Sequence, residues 1–168
     1  MQDVELAPED VPENLVLAPW VPIFPTLLGQ TTVLGAPRFA DTFRAFRGMR
    51  PQDVRAVVIG QDPYPDVAKA TGLSFEQGNL RDWVQDDRLV SKSLRRMIQA
   101  AAAEDAGDDS YMSSRGWSEF INDTREGRIR PRSPGDFFND SREQGVLWLN
   151  TTLSILSLIH ISEPTRPY

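Results

Sequence analysis

Two short apolar runs, each followed by polar residues, predict the strands of this chain. The run Val57-Val58-Ile59 is β-branched, and a second run lies in Val146 to Asn150. Runs of this kind fill strands that are buried on both faces, as in parallel sheets. The pattern therefore predicts one buried strand over about 55–60 and a second over 146–150.

An aromatic stripe predicts a helix before the first strand. Phe39, Phe43 and Phe46 fall at i, i+4 and i+7, so they share one face of a helix from residue 37 or 38 to residue 47. Aromatic residues at this spacing are typical of a buried helix face. We interpret the stripe as part of the core and assign no ligand to it.

A longer helix is predicted over 93–104, with Ser91 or Ser93 as its cap. The residues that share its apolar side are Leu94, Met97, Ile98 and Ala101. Residues 105–135 are rich in Gly, Asp, Ser and Arg, which favours a long irregular insertion. A short helix is expected over 136–144, before the second strand.

The two ends of the chain differ from its middle. Residues 1–37 contain six prolines and are expected to form an extended arm over the core. Residues 38–155 are expected to form one partial α/β domain. Residues 156–168 resemble the translation of a transposon-end adapter used in preparing sequencing libraries, so native sequence is expected to stop near Ile155. The alternative is a natural tail that ends in prolines.

Composition narrows the possible chemistry. The 168 residues are 40% hydrophobic and 25% charged, with no membrane-length apolar run and no signal-peptide pattern, so a cytoplasmic monomer is expected. With no Cys and one His, neither a thiolate nor an imidazole cluster can hold a metal, and we expect no metal and no cofactor. A net charge of −6 argues against a broadly basic nucleic-acid surface. It leaves room for an enzyme that contacts a few phosphates.

A stiff turn follows the first strand and carries a carboxylate. Gly60 lets the chain leave the sheet, and Pro63 fixes its own φ and biases Asp62 away from the helical region. The carboxylate thus comes at the carboxyl end of a strand, where open α/β sheets bind ligands. An ordinary loop is the alternative, because Gly-Gln and Asp-Pro are common loop pairs.

Three motifs in order resemble the uracil-DNA glycosylase family. Gly60-Gln61-Asp62-Pro63-Tyr64 is similar to its water-activating motif, Gly72-Leu73-Ser74-Phe75 to its Gly-Leu-small-Phe segment, and 144–151 to the strand that delivers the uracil-reading Asn. The resemblance covers about residues 38–155. It implies a three-layer α/β/α sandwich with a central, mainly parallel sheet, incomplete here because later strands are missing. It also implies hydrolysis of the bond between uracil and deoxyribose in DNA, which is base excision repair.

The resemblance assigns roles to four residues that would touch the reacting nucleotide. Asp62 would position the attacking water and stabilise the sugar cation. Tyr64 would exclude the 5-methyl group of thymine, and Phe75 would stack on the flipped base. Asn150 would read the edge of uracil. From the residues alone, Tyr64 and Phe75 could equally be packing residues, and Asn150 could be a strand-end cap.

Weaker assignments concern backbone contacts and DNA phosphate. Gln61 would lend backbone contacts to the base and water. Ser93 resembles the Ser of a family loop that contacts a phosphate, although the family's paired prolines are replaced here by Ser91-Lys92, and Lys92 could make the contact instead. Uracil-containing DNA is the expected partner.

Two departures from the family pattern affect the expected activity. Pro65 stands where most close members carry His, and no His-Pro-Ser segment occurs, since the one histidine, His160, lies in the adapter-like tail. We therefore expect this chain to lack normal excision activity. Because the later strands of the family's sheet are missing, we also expect exposed strand edges and a tendency to aggregate. Two alternatives stay open: a non-catalytic member of the same fold that binds DNA or a protein, and a glycosylase for another damaged base.

Overall fold

A computed structural model describes Leu17, Pro19, Trp20 and residues 35–156. Its strands are β1 (Gly35–Ala36), β2 (Ala56–Gly60), β3 (Val146–Asn150) and β4 (Ile155–Leu156). Its α-helices are α1 (Lys92–Ala106), α2 (Gly116–Arg125) and α3 (Pro134–Glu143). The chain forms two compact units: residues 1–74 with 141–168 make the first unit, and residues 75–140 make the second.

The centre of the first unit is a parallel strand pair. β2 pairs with β3 from Ala56 opposite Val146 to Gly60 opposite Asn150. Both strands lie where the apolar runs predict them, and parallel pairing brings their carboxyl ends to the same edge. The α/β class predicted from the sequence is confirmed by this pair together with the three helices.

The two strands differ in burial, and the prediction that the first is buried on both faces was wrong. Val57 is 48% exposed and Ile59 is 62% exposed, whereas Leu147 is 1% exposed and Trp148 is 4% exposed. Within the part of the chain that the structure describes, β3 is the one strand paired with β2. Val57 and Ile59 share a face, because side chains alternate along a strand, and no described residue buries that face.

Indole rings hold the core of the first unit together. Trp148 donates from Nε1 to Ser141 Oγ over 2.8 Å, which ties β3 to the end of α3. Trp20 donates from Nε1 to the Met49 carbonyl over 3.1 Å, and its ring centroid lies 5.0 Å from that of Phe46. Each buried indole thus satisfies its N–H while its ring fills apolar space.

The helix predicted over 37–47 is replaced by two short 3₁₀ segments, Phe39–Asp41 and Arg44–Phe46. Phe46 N donates to the Phe43 carbonyl over 3.0 Å, an i to i+3 bond that defines this tighter helix. Side chains three residues apart lie above one another in it, so Phe43 and Phe46 are both buried without an α-helix. The aromatic pair is core, as interpreted; the side chain of Phe39 is outside the described part.

The second unit begins with the predicted long helix, which is confirmed with slightly wider limits as α1. Ser91, not Ser93, is its cap, because the Ser91 hydroxyl accepts from Leu94 N over 3.4 Å. The helix ends at Gly107, whose φ of 62° is favourable for glycine. Leu94 and Ile98 are buried on its apolar side, as the spacing predicts.

The prediction of a long irregular insertion over 105–135 was wrong. This stretch contains a 3₁₀ segment at Asp109–Met112 and the helix α2. Trp117, Phe120 and Ile121 have helical spacing, and the rings of Trp117 and Phe120 stack with centroids 5.2 Å apart. This short amphipathic helix was not predicted, because turn-forming residues surround its apolar cluster. The short helix predicted over 136–144 is confirmed as α3, which begins two residues earlier.

A tyrosine–carboxylate bond fixes the 3₁₀ segment to α2. The Tyr111 hydroxyl donates to Asp123 Oδ2 over 2.6 Å, which raises the pKa of Tyr111 to about 12. The same bond, with help from Arg128, holds the pKa of Asp123 below its ordinary value. Both shifts arise because the bond favours the ionised carboxylate and the neutral phenol.

The ends of the chain are described only in part. Residues 1–16, 18, 21–34 and 157–168 lie outside the described residues, so the predicted arm and tail are mostly among them. Leu156, the first residue of the predicted tail, pairs with Gly35 in the β1–β4 ladder. The division into arm, domain and tail stays a prediction. In the described part, no helix is long and apolar enough to cross a membrane.

The difference in burial across the β2–β3 pair predicts a difference in stability. Val57 and Leu147 are partners in the register, yet one is half exposed and the other is buried. Val57→Ala should change the free energy of unfolding by less than about 0.5 kcal/mol, as exposed sites do. Leu147→Ala should lower it by about 2–5 kcal/mol through the cavity it leaves. Urea unfolding of both variants measures this, and equal losses would contradict the burial described above.

Candidate functional site

The predicted functional turn follows β2 and is held against the residues that follow β3. Thr151 N donates to the carbonyls of Gly60 and Gln61 over 3.0 and 3.1 Å, and Thr152 N donates to the Gln61 carbonyl over 3.3 Å. The Thr151 hydroxyl donates to the same carbonyl over 2.5 Å. The Gln61 carbonyl thus receives three donors from Thr151 and Thr152, which fixes the backbone of the turn where Asp62 begins.

Asp62 is exposed, and both of its carboxylate oxygens accept hydrogen bonds. Thr152 Oγ1 donates to Oδ1 over 2.6 Å, and Gln61 Nε2 donates to Oδ2 over 3.1 Å. No Lys or Arg among the described residues forms an ion pair with this carboxylate. The result is an oriented, accessible negative charge whose field is not cancelled by a described cation.

Asn150 ends β3 and lies across Gly60 of the neighbouring strand. Its side chain is buried, with 7% exposure. A Cβ at Gly60 would overlap the Asn150 amide oxygen and would lie 2.8 Å from the Ser74 Cβ. Among described residues, no group forms a hydrogen bond with the Asn150 side-chain amide. The donor and the acceptor of this planar amide are therefore both available for a ligand.

Ser74 joins the two strands beneath this amide. It is fully buried, its hydroxyl donates to the Val58 carbonyl over 3.0 Å, and its N–H donates to the Trp148 carbonyl over 3.4 Å. One bond goes to β2 and the other to β3. Ser74 thereby packs against both strands of the pair that ends at Gly60 and Asn150.

The structure brings together three of the predicted site residues in the first unit, namely Gln61, Asp62 and Asn150. Tyr64 follows in the same turn and is half buried, next to the buried Pro63. Within the described residues, no group of three or more His, Cys, Asp or Glu side chains is arranged to hold a metal ion. The chemistry available at this edge is that of a carboxylate, an amide and an aromatic ring.

The other predicted site residues belong to the second unit. Phe75 has a φ of 64°, a left-handed conformation that is rare and strained for an aromatic residue. Lys92 and Ser93 lie in the exposed first turn of α1. The start of that helix is anchored by Gln77, which accepts from Ser91 N over 2.7 Å and donates to the Leu89 carbonyl over 2.9 Å.

Two residues contribute to the site that the sequence did not single out. Ser74 is the small residue of a sequence motif, but the motif does not predict that this residue is buried between two strands. No sequence pattern indicates a role for Thr152, because a hydroxyl two residues after a strand is common in loops. Its contact with Asp62 depends on the strand register, which sets the loop after β3 beside the loop after β2.

Two curated relatives that match part of this chain are named uracil-DNA glycosylases. The chain is 33% identical over 116 residues to the uracil-DNA glycosylase of Bordetella petrii, covering 69% of this chain and 34% of the relative. It is 40% identical over 74 residues to the uracil-DNA glycosylase of Exiguobacterium sibiricum, covering 44% of this chain and 30% of the relative. The chain spans about a third of the length of these curated relatives. No protein-family model matches it.

A solved structure shares the fold. The crystal structure of wild-type UNG from Nitratifractor salsuginis matches with a TM-score of 0.65 at 24% identity, covering 88% of this chain and 66% of that chain. At this identity the likeness shows a common fold. The incomplete α/β sandwich expected from the sequence is therefore confirmed.

The contact between Gly60 and Asn150 predicts that Gly60→Ala displaces the Asn150 amide. The added Cβ would overlap the amide oxygen, and buried Ser74 leaves little room for relief. Gly135→Ala is the matched control, because a Cβ there meets nothing within 4 Å. The side-chain NH₂ resonances of Asn150 should move in Gly60→Ala and stay in place in Gly135→Ala. Unmoved resonances in Gly60→Ala would contradict the described packing.

Proposed function

We propose that this chain belongs to the uracil-DNA glycosylase family and that the protein hydrolyses the N-glycosidic bond between uracil and deoxyribose in DNA. The observation that carries the proposal is the pairing of Gly60 with Asn150. It sets an oriented carboxylate and an available amide at one edge of a parallel strand pair. Hydrolysis of this N-glycosidic bond is the first reaction of base excision repair.

Asp62 has the charge and position that the reaction requires. Breaking the glycosidic bond leaves positive charge on the sugar, which a nearby anion stabilises. The carboxylate is exposed, held at both oxygens and without a described counterion. We assign to it the stabilisation of the sugar cation and the positioning of the attacking water.

Asn150 is assigned the recognition of uracil. Its amide offers one acceptor and one donor group, which match the N3–H and O4 of uracil, while cytosine presents the opposite pattern. The Asn150 side chain has no described hydrogen-bond partner, so its donor and its acceptor are both open to a ligand. A site built to hydrogen-bond one base edge discriminates strongly against a base with the opposite pattern.

Two aromatic residues are assigned contacts with the base. Tyr64 follows Asp62 on the same stiff turn and is assigned the exclusion of the thymine methyl group. Phe75 is assigned the stacking platform for the flipped base. Its left-handed backbone supports a functional role, since strain of this kind persists where the surrounding structure enforces it. Gln61 is assigned backbone contacts to the base and water.

The proposed DNA contacts are few. Lys92 and Ser93 lie exposed in the first turn of α1 and are assigned to a backbone phosphate. With a net charge of −6, non-specific affinity should be low, and recognition should depend on the flipped base. Uracil-containing DNA as partner, a monomeric state and a cytoplasmic location are parts of this proposal.

An excision assay with several substrates tests the function. Single-turnover reactions with uracil, hypoxanthine and mismatched-thymine duplexes should show release of uracil alone. The sequence has one histidine, His160, and no His-Pro-Ser segment, which is the departure from the family pattern described above. We therefore expect excision by this chain to be much slower than normal turnover. Release of hypoxanthine in preference to uracil would favour another damaged base as substrate.

Asp62→Asn should lower the single-turnover rate of uracil release about 10²- to 10³-fold, the loss typical of removing one electrostatic stabiliser. The variant keeps the shape of the side chain and removes its negative charge. Asp66→Asn is the matched control: it removes an exposed carboxylate from the same turn, one that accepts from Ala68 N. The control should retain the parent rate. Parent-rate excision by Asp62→Asn would disprove the assignment.

Tyr64→Ala should allow thymine to be excised if the ring is a steric gate, because uracil and thymine differ there by one methyl group. Discrimination of that kind is worth about 10- to 200-fold in a shaped pocket. Tyr64→Phe keeps the ring and should keep the exclusion. The ratio of uracil to thymine release in matched oligonucleotides measures the effect. A ratio unchanged by Tyr64→Ala would mean that the ring only packs.

A further inference from the structure

A side chain outside the predicted site residues contacts the proposed catalytic carboxylate. Thr152 Oγ1 lies 2.6 Å from Asp62 Oδ1, although the two residues are 90 positions apart in sequence. We propose that Thr152 is a positioning residue that fixes the Asp62 carboxylate toward the attacking water. The catalytic part of this inference rests on the function proposed above.

The Thr152 contact is the shorter of the two described bonds to the carboxylate. An ionised carboxylate only accepts, so the hydroxyl must donate, and about 2.5–2.7 Å is the length of a charge-assisted O–H···O⁻ bond. Gln61 Nε2, the other donor, lies 3.1 Å from Oδ2 and belongs to the adjacent residue. Thr152 therefore supplies the long-range restraint on the orientation of this side chain.

The backbone of Thr152 is itself held in place. Its N–H donates to the Gln61 carbonyl over 3.3 Å, and a β-branched side chain has restricted χ1 freedom. The hydroxyl is consequently presented at a defined position. Because a carboxylate has about four lone-pair sites, two accepted bonds orient Asp62 and still leave sites for a water molecule.

The neighbouring Thr151 has a different contact, which separates the two roles. The Thr151 hydroxyl donates to the Gln61 carbonyl and so restrains the backbone of the turn. The Thr152 hydroxyl donates to the carboxylate itself. The two residues have the same side chain, are both exposed and are adjacent, so Thr151→Val is a matched control for Thr152→Val.

The first experiment reads the carboxylate directly and needs no activity. In uniformly ¹³C-labelled protein, Thr152→Val should shift the Asp62 carboxyl resonance and average the couplings that report the Asp62 χ1 angle. Thr152→Ser, which keeps the hydroxyl, should restore both toward the parent values. Thr151→Val should affect the Gln61 carbonyl resonance more than the Asp62 carboxyl. An Asp62 resonance identical in the parent and in Thr152→Val would overturn the proposal.

The second experiment measures the consequence for excision. Thr152→Val should lower kcat about tenfold with KM nearly unchanged, since small misplacements of a catalytic group are costly. Thr152→Ser should stay within about twofold of the parent, and adding Thr152→Val to Asp62→Asn should cause no further loss, because the two residues act as one unit. Equal rates for Thr152→Val and the parent, or additive losses, would contradict the proposal.

The outcomes separate this inference from the function on which it rests. If the parent protein releases no uracil, the proposed function fails for this chain. The Asp62 carboxyl resonance then still decides whether Thr152 orients that side chain. If uracil is released and the resonance does not respond to Thr152→Val, the function stands and the positioning role fails.

Discussion

The parallel register of β2 and β3 is the constraint on which the candidate site depends. It sets Gly60 opposite Asn150, and the same register brings Thr151 and Thr152 to the Gln61 carbonyl and the Asp62 carboxylate. Side chains on a strand alternate between faces, so a slip of one residue would move every one of them to the other side. The five residue pairs of this register therefore set the positions of the carboxylate and the amide together.

Glycine at the end of β2 leaves room for side chains from two other segments. The space without a Cβ is filled by the Asn150 amide oxygen, beside the Ser74 Cβ. Ser74 in turn satisfies one carbonyl on each strand. The end of β2, the end of β3 and Ser74 are thus packed together although they are far apart in sequence.

The sequence predicted those parts of the structure that depend on local patterns. Apolar runs located β2 and β3, and helical spacing located α1 and α3. Helical spacing failed at 37–47, where i to i+3 bonds bury Phe43 and Phe46 without an α-helix, and α2 was hidden among turn-forming residues. The exposure of Val57 and Ile59 could not be read from a β-branched run, because burial depends on neighbours. The Thr152–Asp62 contact depends on register, which no local pattern encodes.

The first unit is discontinuous in sequence, whereas the second is a single stretch, and this has a consequence for the order of folding. Contacts that hold the Asp62 turn join residues 90 positions apart, so closing that loop requires a large loss of chain entropy. Hydrogen bonds within residues 75–140 join residues closer in sequence, such as 12 positions for Tyr111–Asp123 and 49 for Trp83–Arg132, and contacts between nearer residues form faster. During synthesis on a ribosome, residues 75–140 can fold before β3 emerges to pair with β2 and hold the Asp62 turn.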